Sequence, residues 1–491
     1  MKIILRSLIL LFIAIFSLQS CDDQDDVDSP QDLKVNDFIW KGLNQYYLWQ
    51  ADVPNLADGR FSNQQGLNSF LRGYSKPEDL FKDLLNKPES KFPNGGAIDR
   101  FSWIVDDYTI LEQELQGTSK SDGVNFGLSR ISKNSNDLIG FVQYILPNSD
   151  ASAKNIKRGD VFTGVNGTKL TISNYRSLLY ESDSYTLDMA ELNNNTITPN
   201  GKSVSLTKTI LEENPVYINK VIVSGSHKIG YLMYNGFYAN YDLQLNTAFA
   251  ELKSQGVTDL VLDLRYNLGG SVQTATYLAS MITGQFKDQI FSKQKWNDKI
   301  NAYFESEDSE LLNNRFTDKI GATAINSLRL TRIYVLANDG TASASELVIN
   351  GLKPYIDVVH IGDKTVGKNV GSITLYDSET FNKKDVNPSH KYAMQPLVLK
   401  IVNASGFGDY TDGLTPTYKQ LEYISTMGVL GDQSEPLLQF AISKITGATA
   451  KKVQQDSGQS MTIYTDSKSM GGLRNQMYVE KVPEGLLKAL R

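Results

Sequence analysis

The chain has 491 residues, 41% of them hydrophobic and 21% charged, with a formal net charge of −6. At ~100 to 200 residues per domain it is too long for one core, so several domains are expected. The acidic balance argues against a nucleic-acid partner, three scattered histidines and no spaced acidic cluster argue against a metal or cofactor, and a single cysteine excludes an intrachain disulfide.

Lys2 and Arg6 precede an apolar stretch from Ser7 to Leu18, long enough for a signal h-region and short for a membrane span. It runs into Leu18-Gln19-Ser20-Cys21, which resembles a bacterial lipobox. Residues 1–20 therefore read as a lipoprotein signal peptide. Lipid on Cys21 would anchor the exported chain to a membrane of the cell envelope, on its periplasmic or outer face. Residues 21–35, rich in aspartate, form an acidic tether.

Residues 36–117 are read as a helical N-terminal domain. Ile39, Leu43 and Tyr46 recur at i, i+4, i+7, and Leu80, Phe81, Leu84 and Leu85 form a second apolar stripe, with Trp40, Trp49 and Trp103 expected in the core. Residues 118–212 change to short β-like runs, Val124 to Leu128, Leu138 to Ile145 and Asp160 to Val165, the last closed by the hairpin signal Asn166-Gly167. With Ile156-Lys157-Arg158-Gly159-Asp160-Val161, this region resembles a PDZ domain of the bacterial protease type. The resemblance implies that backbone N–H groups of Phe126, Gly127 and Leu128 hold the terminal carboxylate of a peptide added along the strand.

Strands and helices alternate through residues 213–447, which predicts an α/β core. Expected strands are Ile229 to Tyr234, Asp259 to Arg265 and Thr331 to Ala337. Helices are expected over Leu245 to Lys253, Val272 to Ile282, Ser345 to Leu352 and Pro436 to Ile445. Residues 448–491 form a polar C-terminal tail to which the sequence assigns no role. The fold class is multidomain α+β.

Chemistry is carried by Ser343, in Gly340-Thr341-Ala342-Ser343-Ala344-Ser345-Glu346, and by Lys368, 368 − 343 = 25 residues later. A serine hydroxyl needs a base. With no histidine in a motif-like setting, a buried lysine of lowered pKa is the better candidate. Three fragments taken together, Leu260 to Gly270, Val335 to Glu346 and Gly362 to Lys368, resemble the C-terminal processing (tail-specific) serine peptidases of family S41. The likeness covers roughly residues 120 to 420 and implies a crotonase- or ClpP-like Ser-Lys peptidase core. The substrate it implies is a peptide or protein with a free C-terminus.

On this reading Ser343 opens a helix whose N-terminal dipole favours a developing oxyanion. Ala344 supplies one oxyanion amide and Gly269 or Gly270 the other. Glu346 is a capping-box partner, Asp263 and Arg265 form a structural ion pair, and Lys364 is a competing base. Gly362 to Lys368 also spells the start of a phosphate-binding loop. Asn369 stands where its magnesium ligand belongs, and a strand pattern follows where a helix is required. The family has a glutamine four residues after the lysine, and here that position is Ser372, the candidate for orienting the base. The departure leaves a second reading open, a catalytically impaired lipoprotein that binds peptides.

Overall fold

The runs Leu260-Val261-Leu262 and Ile333-Tyr334-Val335-Leu336-Ala337 have no polar face, as expected of strands covered on both sides. They lie as neighbours in a six-stranded sheet ordered Val216–Ser224, His227–Tyr234, Asp259–Asp263, Arg332–Ala337, Asp357–Gly362, Tyr418–Lys419. From His227–Tyr234 onward each neighbour is parallel. Parallel neighbours require crossovers. Helices Asp242–Ser254, Val272–Thr283 and Ala344–Leu352 lie in those connections, and Pro436–Thr446 packs Leu437, Leu438 and Ala441 against Ile229, Tyr231 and Val261. Every residue of Ala344–Leu352 is buried, including the polar Ser345, Glu346 and Asn350, whose side chains are hydrogen-bonded.

The structure is a computed structural model and describes residues 29–93, 95–193, 196–448, 463–470 and 477–480. The expected signal peptide, Cys21 and the tether up to residue 28 lie outside the described residues. No helix among the described residues is long and apolar enough to cross a membrane.

The chain divides into two compact units, one holding the residues up to Gln45 and Trp49–Arg100, the other Tyr46–Leu48 and everything from Phe101 on. The first is helical, with Lys34–Tyr46, Gln64–Leu71 and Pro77–Asp83 as its α-helices. Ile39, Leu43, Leu80 and Leu84 are fully buried in it, as the periodicity predicted, and so are Leu56 and Leu71, which the periodicity did not name. The tryptophans were misjudged. Trp40 and Trp49 are only half-buried, and Trp103 belongs to the other unit, where Trp103–Val105 pairs with Ala393–Gln395. The helical unit thus ends at Arg100, short of Gly117.

Within the second unit, antiparallel strands Val124–Arg130, Leu138–Ile145, Val161–Val165, Ser184–Asn193 and Thr196–Thr207 enclose Phe126, Leu128, Phe162, Val165, Leu187 and Leu206. Alongside the parallel sheet runs a second six-stranded sheet. Its order is Gly270–Ser271, Met477–Tyr478, Val370–Ser372, Leu397–Asn403, Ile290–Trp296, Asn313–Arg315. The polar tail therefore contributes a strand to the interior of this sheet, and another, Ile463–Asp466, to the edge of the β module.

One consequence of the parallel order decides the site. Asp259–Asp263, Arg332–Ala337 and Asp357–Gly362 are adjacent and co-directional, so the loops leaving their carboxyl ends emerge side by side. Those loops carry Gly269, Ser343 and Lys368. Open parallel sheets bind ligands at that edge.

Candidate active site

The turn before Ser343 is fastened to the loop beside it. Thr341 Oγ1 donates to the Leu264 carbonyl at 2.9 Å, the Ala342 amide donates to Asn267 O at 3.2 Å, and Ser345 Oγ donates to the same carbonyl at 3.1 Å. Ser343 is held at φ +66°, a left-handed conformation that costs a non-glycine residue ~1–3 kcal/mol and persists only where its surroundings impose it. Its hydroxyl makes no side-chain cap hydrogen bond and is buried without a partner among the described residues. The Ala344 amide beside it opens the helix, where the first N–H groups have no intrahelical acceptor.

Glu346 does more than cap. One carboxylate oxygen, Oε2, accepts the amides of Ser343 and Lys368, each at 2.8 Å. The other, Oε1, accepts the Gly367 amide at 2.7 Å and the Thr365 hydroxyl. Burial raises its pKa, and these four hydrogen bonds work in the opposite direction. Gly367, at φ +87°, passes so close to Thr411 that a Cβ would meet its carbonyl oxygen at 2.2 Å, so only glycine fits before the lysine. Lys368 is 1% exposed, with its Nζ 5.0 Å from the Phe101 ring centroid. Lys364, the competing candidate, is exposed.

Of the glycines assigned to the oxyanion, Gly269 is corrected. Its amide donates to Asn267 Oδ1 at 2.9 Å and so is already engaged. Gly270 stands at φ +140°, where a Cβ would lie 2.3 Å from Phe237 O. Ala344, at the helix start, and Gly270, on a strand paired with Met477–Tyr478, remain the candidates for the role.

Ser372 is also corrected as the residue orienting the base. Its hydroxyl donates to Gln395 Oε1 at 2.5 Å and approaches Met477 O at 3.3 Å. Gln395, 1% exposed, in turn donates to Thr374 Oγ1 at 2.7 Å. Gln395 reaches Ser372 from the strand Ala393–Gln395. No motif marks it in the sequence, because it arrives through strand pairing.

Asp263 and Arg265 form the expected buried pair at 2.7 Å, and Arg265 also reaches Glu435 at 2.8 Å and Glu422 at 2.7 Å. Glu422 accepts as well from Arg158 of the β module, whose guanidinium donates to Tyr266 Oη at 2.7 Å. This network ties the module to the loop that carries the glycines. The sequence shows only its Asp263-Arg265 fragment.

In the β module, Phe126 and Leu128 turn their side chains into its core, and Val124–Arg130 is paired along its backbone with Leu138–Ile145 on one edge and Ile463–Asp466 on the other. A cavity of about 520 Å³ connects Val124, Asn125 and Phe126 with Leu268, Gly269 and Gly270. Among the described residues no group of three or more His, Cys, Asp or Glu could hold a metal ion.

Residues 228–381 match peptidase family S41, and residues 34–103 match the peptidase S41 N-terminal domain. The chain is 26% identical over 369 residues to carboxyl-terminal-processing peptidase 1, chloroplastic, of Arabidopsis thaliana, covering 71% of this chain and 66% of that protein. To a CtpA-like serine protease of Staphylococcus aureus it is 26% identical over 359 residues, 69% of this chain and 67% of the relative. The chain thus spans about two thirds of the length of these relatives. A crystal structure assigned to the S41 proteases, from Bacteroides fragilis, superposes with a TM-score of 0.62 at 27% identity, covering 84% of this chain and 97% of the other.

Proposed function

We propose that this chain, a member of the serine peptidase family S41, cleaves peptide bonds near the C-terminus of proteins of the cell envelope with Ser343 as nucleophile and Lys368 as base. The observation that carries the reading is the buried, unpartnered Ser343 hydroxyl held in a strained turn at a helix N-terminus. In the reaction Ser343 Oγ attacks the scissile carbonyl carbon and its proton passes to the neutral Lys368 amine. The carbonyl oxygen becomes an oxyanion facing the Ala344 and Gly270 amides. As the carbon–nitrogen bond breaks, the lysine ammonium returns the proton to the leaving amine. Water, deprotonated by Lys368, then attacks the acyl carbon, and as the bond to Ser343 Oγ breaks the lysine ammonium returns that proton to Oγ.

In this reading the β module is PDZ-like and presents Phe126, Gly127 and Leu128 to a peptide terminus, while lipid on Cys21 holds the enzyme to the membrane. Replacing Ser343 with alanine should abolish turnover of an unfolded substrate with a free apolar C-terminus and abolish labelling by a fluorophosphonate. Undiminished cleavage by Ser343→Ala would sink the mechanism. The other reading, a peptide-binding lipoprotein without chemistry, is favoured by the absence of a Ser343–Lys368 hydrogen bond. Catalytic hydrogen bonds are often open without substrate and tighten in the Michaelis complex.

A further inference from the structure

Two stretches of the tail lie where a substrate would. Ile463–Asp466 pairs antiparallel with Val124–Arg130, Ile463 opposite Ser129, Thr465 opposite Leu128 and Asp466 opposite Gly127. It runs toward Phe126, whose amide donates to Ser467 Oγ at 3.1 Å. Met470, 3% exposed, joins the module's core, and Lys468 Nζ donates to Asn235 O at 2.9 Å and Glu213 at 3.2 Å.

Further on, Met477–Tyr478 lies between Gly270–Ser271 and Val370–Ser372, parallel to both. One neighbour bears the oxyanion glycine and the other follows Lys368. The Val479 amide donates to Ser372 O at 3.0 Å, and Met477 is fully buried. A strand added to an edge satisfies that edge, so another peptide cannot pair there until the first leaves.

We infer that residues 463–470 and 477–480 are ligands in cis for the peptide groove and the cleft, and that an extended apolar substrate binds only by displacing them. The two seats are 477 − 467 = 10 residues apart, and their order is inverted. A substrate whose terminus sits in the groove reaches the cleft with residues that precede it, whereas this segment reaches the cleft with residues that follow. The segment therefore blocks both seats without being threaded as a substrate. The cleft half of this inference rests on the peptidase reading; the groove half does not.

The test uses the full chain. In a Ser343→Ala background, Thr465→Pro removes a ladder position and, independently, Met470→Asp expels the anchor from the module's core. A fluorescein-labelled decapeptide with a free leucyl C-terminus, followed by anisotropy, should bind either variant at least ~10-fold more tightly than the parent, because the competent fraction rises. Affinity equal to the parent in whichever variant keeps its melting transition overturns the groove half. With Ser343 intact, Val479→Pro should speed fluorophosphonate labelling ~10-fold on the same argument, and an unchanged rate overturns the cleft half. If no chain is labelled at all, the peptidase reading fails while the anisotropy result still stands.

Discussion

The backbone amides of Ser343 and Lys368, 25 residues apart in the chain, donate to a single oxygen, Glu346 Oε2, at 2.8 Å each. The carboxylate thus sets the spacing between the turn that presents Ser343 and the loop that presents Lys368, the proposed nucleophile and base. Glu346→Ala should leave buried amides without acceptors, at ~1–3 kcal/mol each, and misplace the pair. A loss of ~10²-fold or more in kcat/KM is expected from displacement on the order of an ångström. Glu346→Gln keeps one acceptor oxygen and should fall between. Equal rates of fluorophosphonate labelling in all three chains would show that the carboxylate does not position the site.

Gly270→Ala should be costly in two ways. Its φ of +140° and the 2.3 Å approach of a Cβ to Phe237 O mean that the backbone has to move. Loss of that amide from the oxyanion site should lower kcat by ~10²- to 10³-fold. KM should change little, and steady-state kinetics separates the two constants.

Restoring the family's glutamine should not help. Ser372 is 2% exposed and bonded to Gln395, so the longer side chain of Ser372→Gln would overpack the site, at ~1–3 kcal/mol. The expected result is a lowered denaturation midpoint with no gain in kcat. Gln395→Ala, which strands the Ser372 hydroxyl, should cost ~1–3 kcal/mol by the same assay. A rise in activity for Ser372→Gln would mean that Gln395 does not fill the glutamine's place.

His360, 1% exposed on the strand beside the one leading to Ser343, has its pKa lowered to about 4, chiefly by burial. Its neutral form is favoured on folding, so the stability it contributes is present above its ordinary value of 6.5 and is lost as pH falls through about 4. The full difference corresponds to ~3 kcal/mol. Urea denaturation of the parent and of His360→Gln should give a difference in stability that narrows by about that amount between pH 6.5 and 4. A constant difference across that range would remove histidine desolvation as the cause.

The sequence by itself determined the parts whose information is local. Uninterrupted apolar runs named the parallel strands, glycines marked turns that tolerate no Cβ, and three separated fragments named the family and singled out Ser343 and Lys368 as candidates. The rest depended on contacts between distant residues. Parallel neighbours brought the three loops to one sheet edge, and Glu346 became a clamp because Gly367 and Lys368 arrive beside it. Gly269 lost its assigned role to the side chain of Asn267, and Gln395 came to Ser372 from another strand. The tail shows the limit most plainly. Its polar composition assigned it no role, yet Met477–Tyr478 is buried between two strands, because backbone pairing at an open sheet position stabilises a segment without any side-chain pattern.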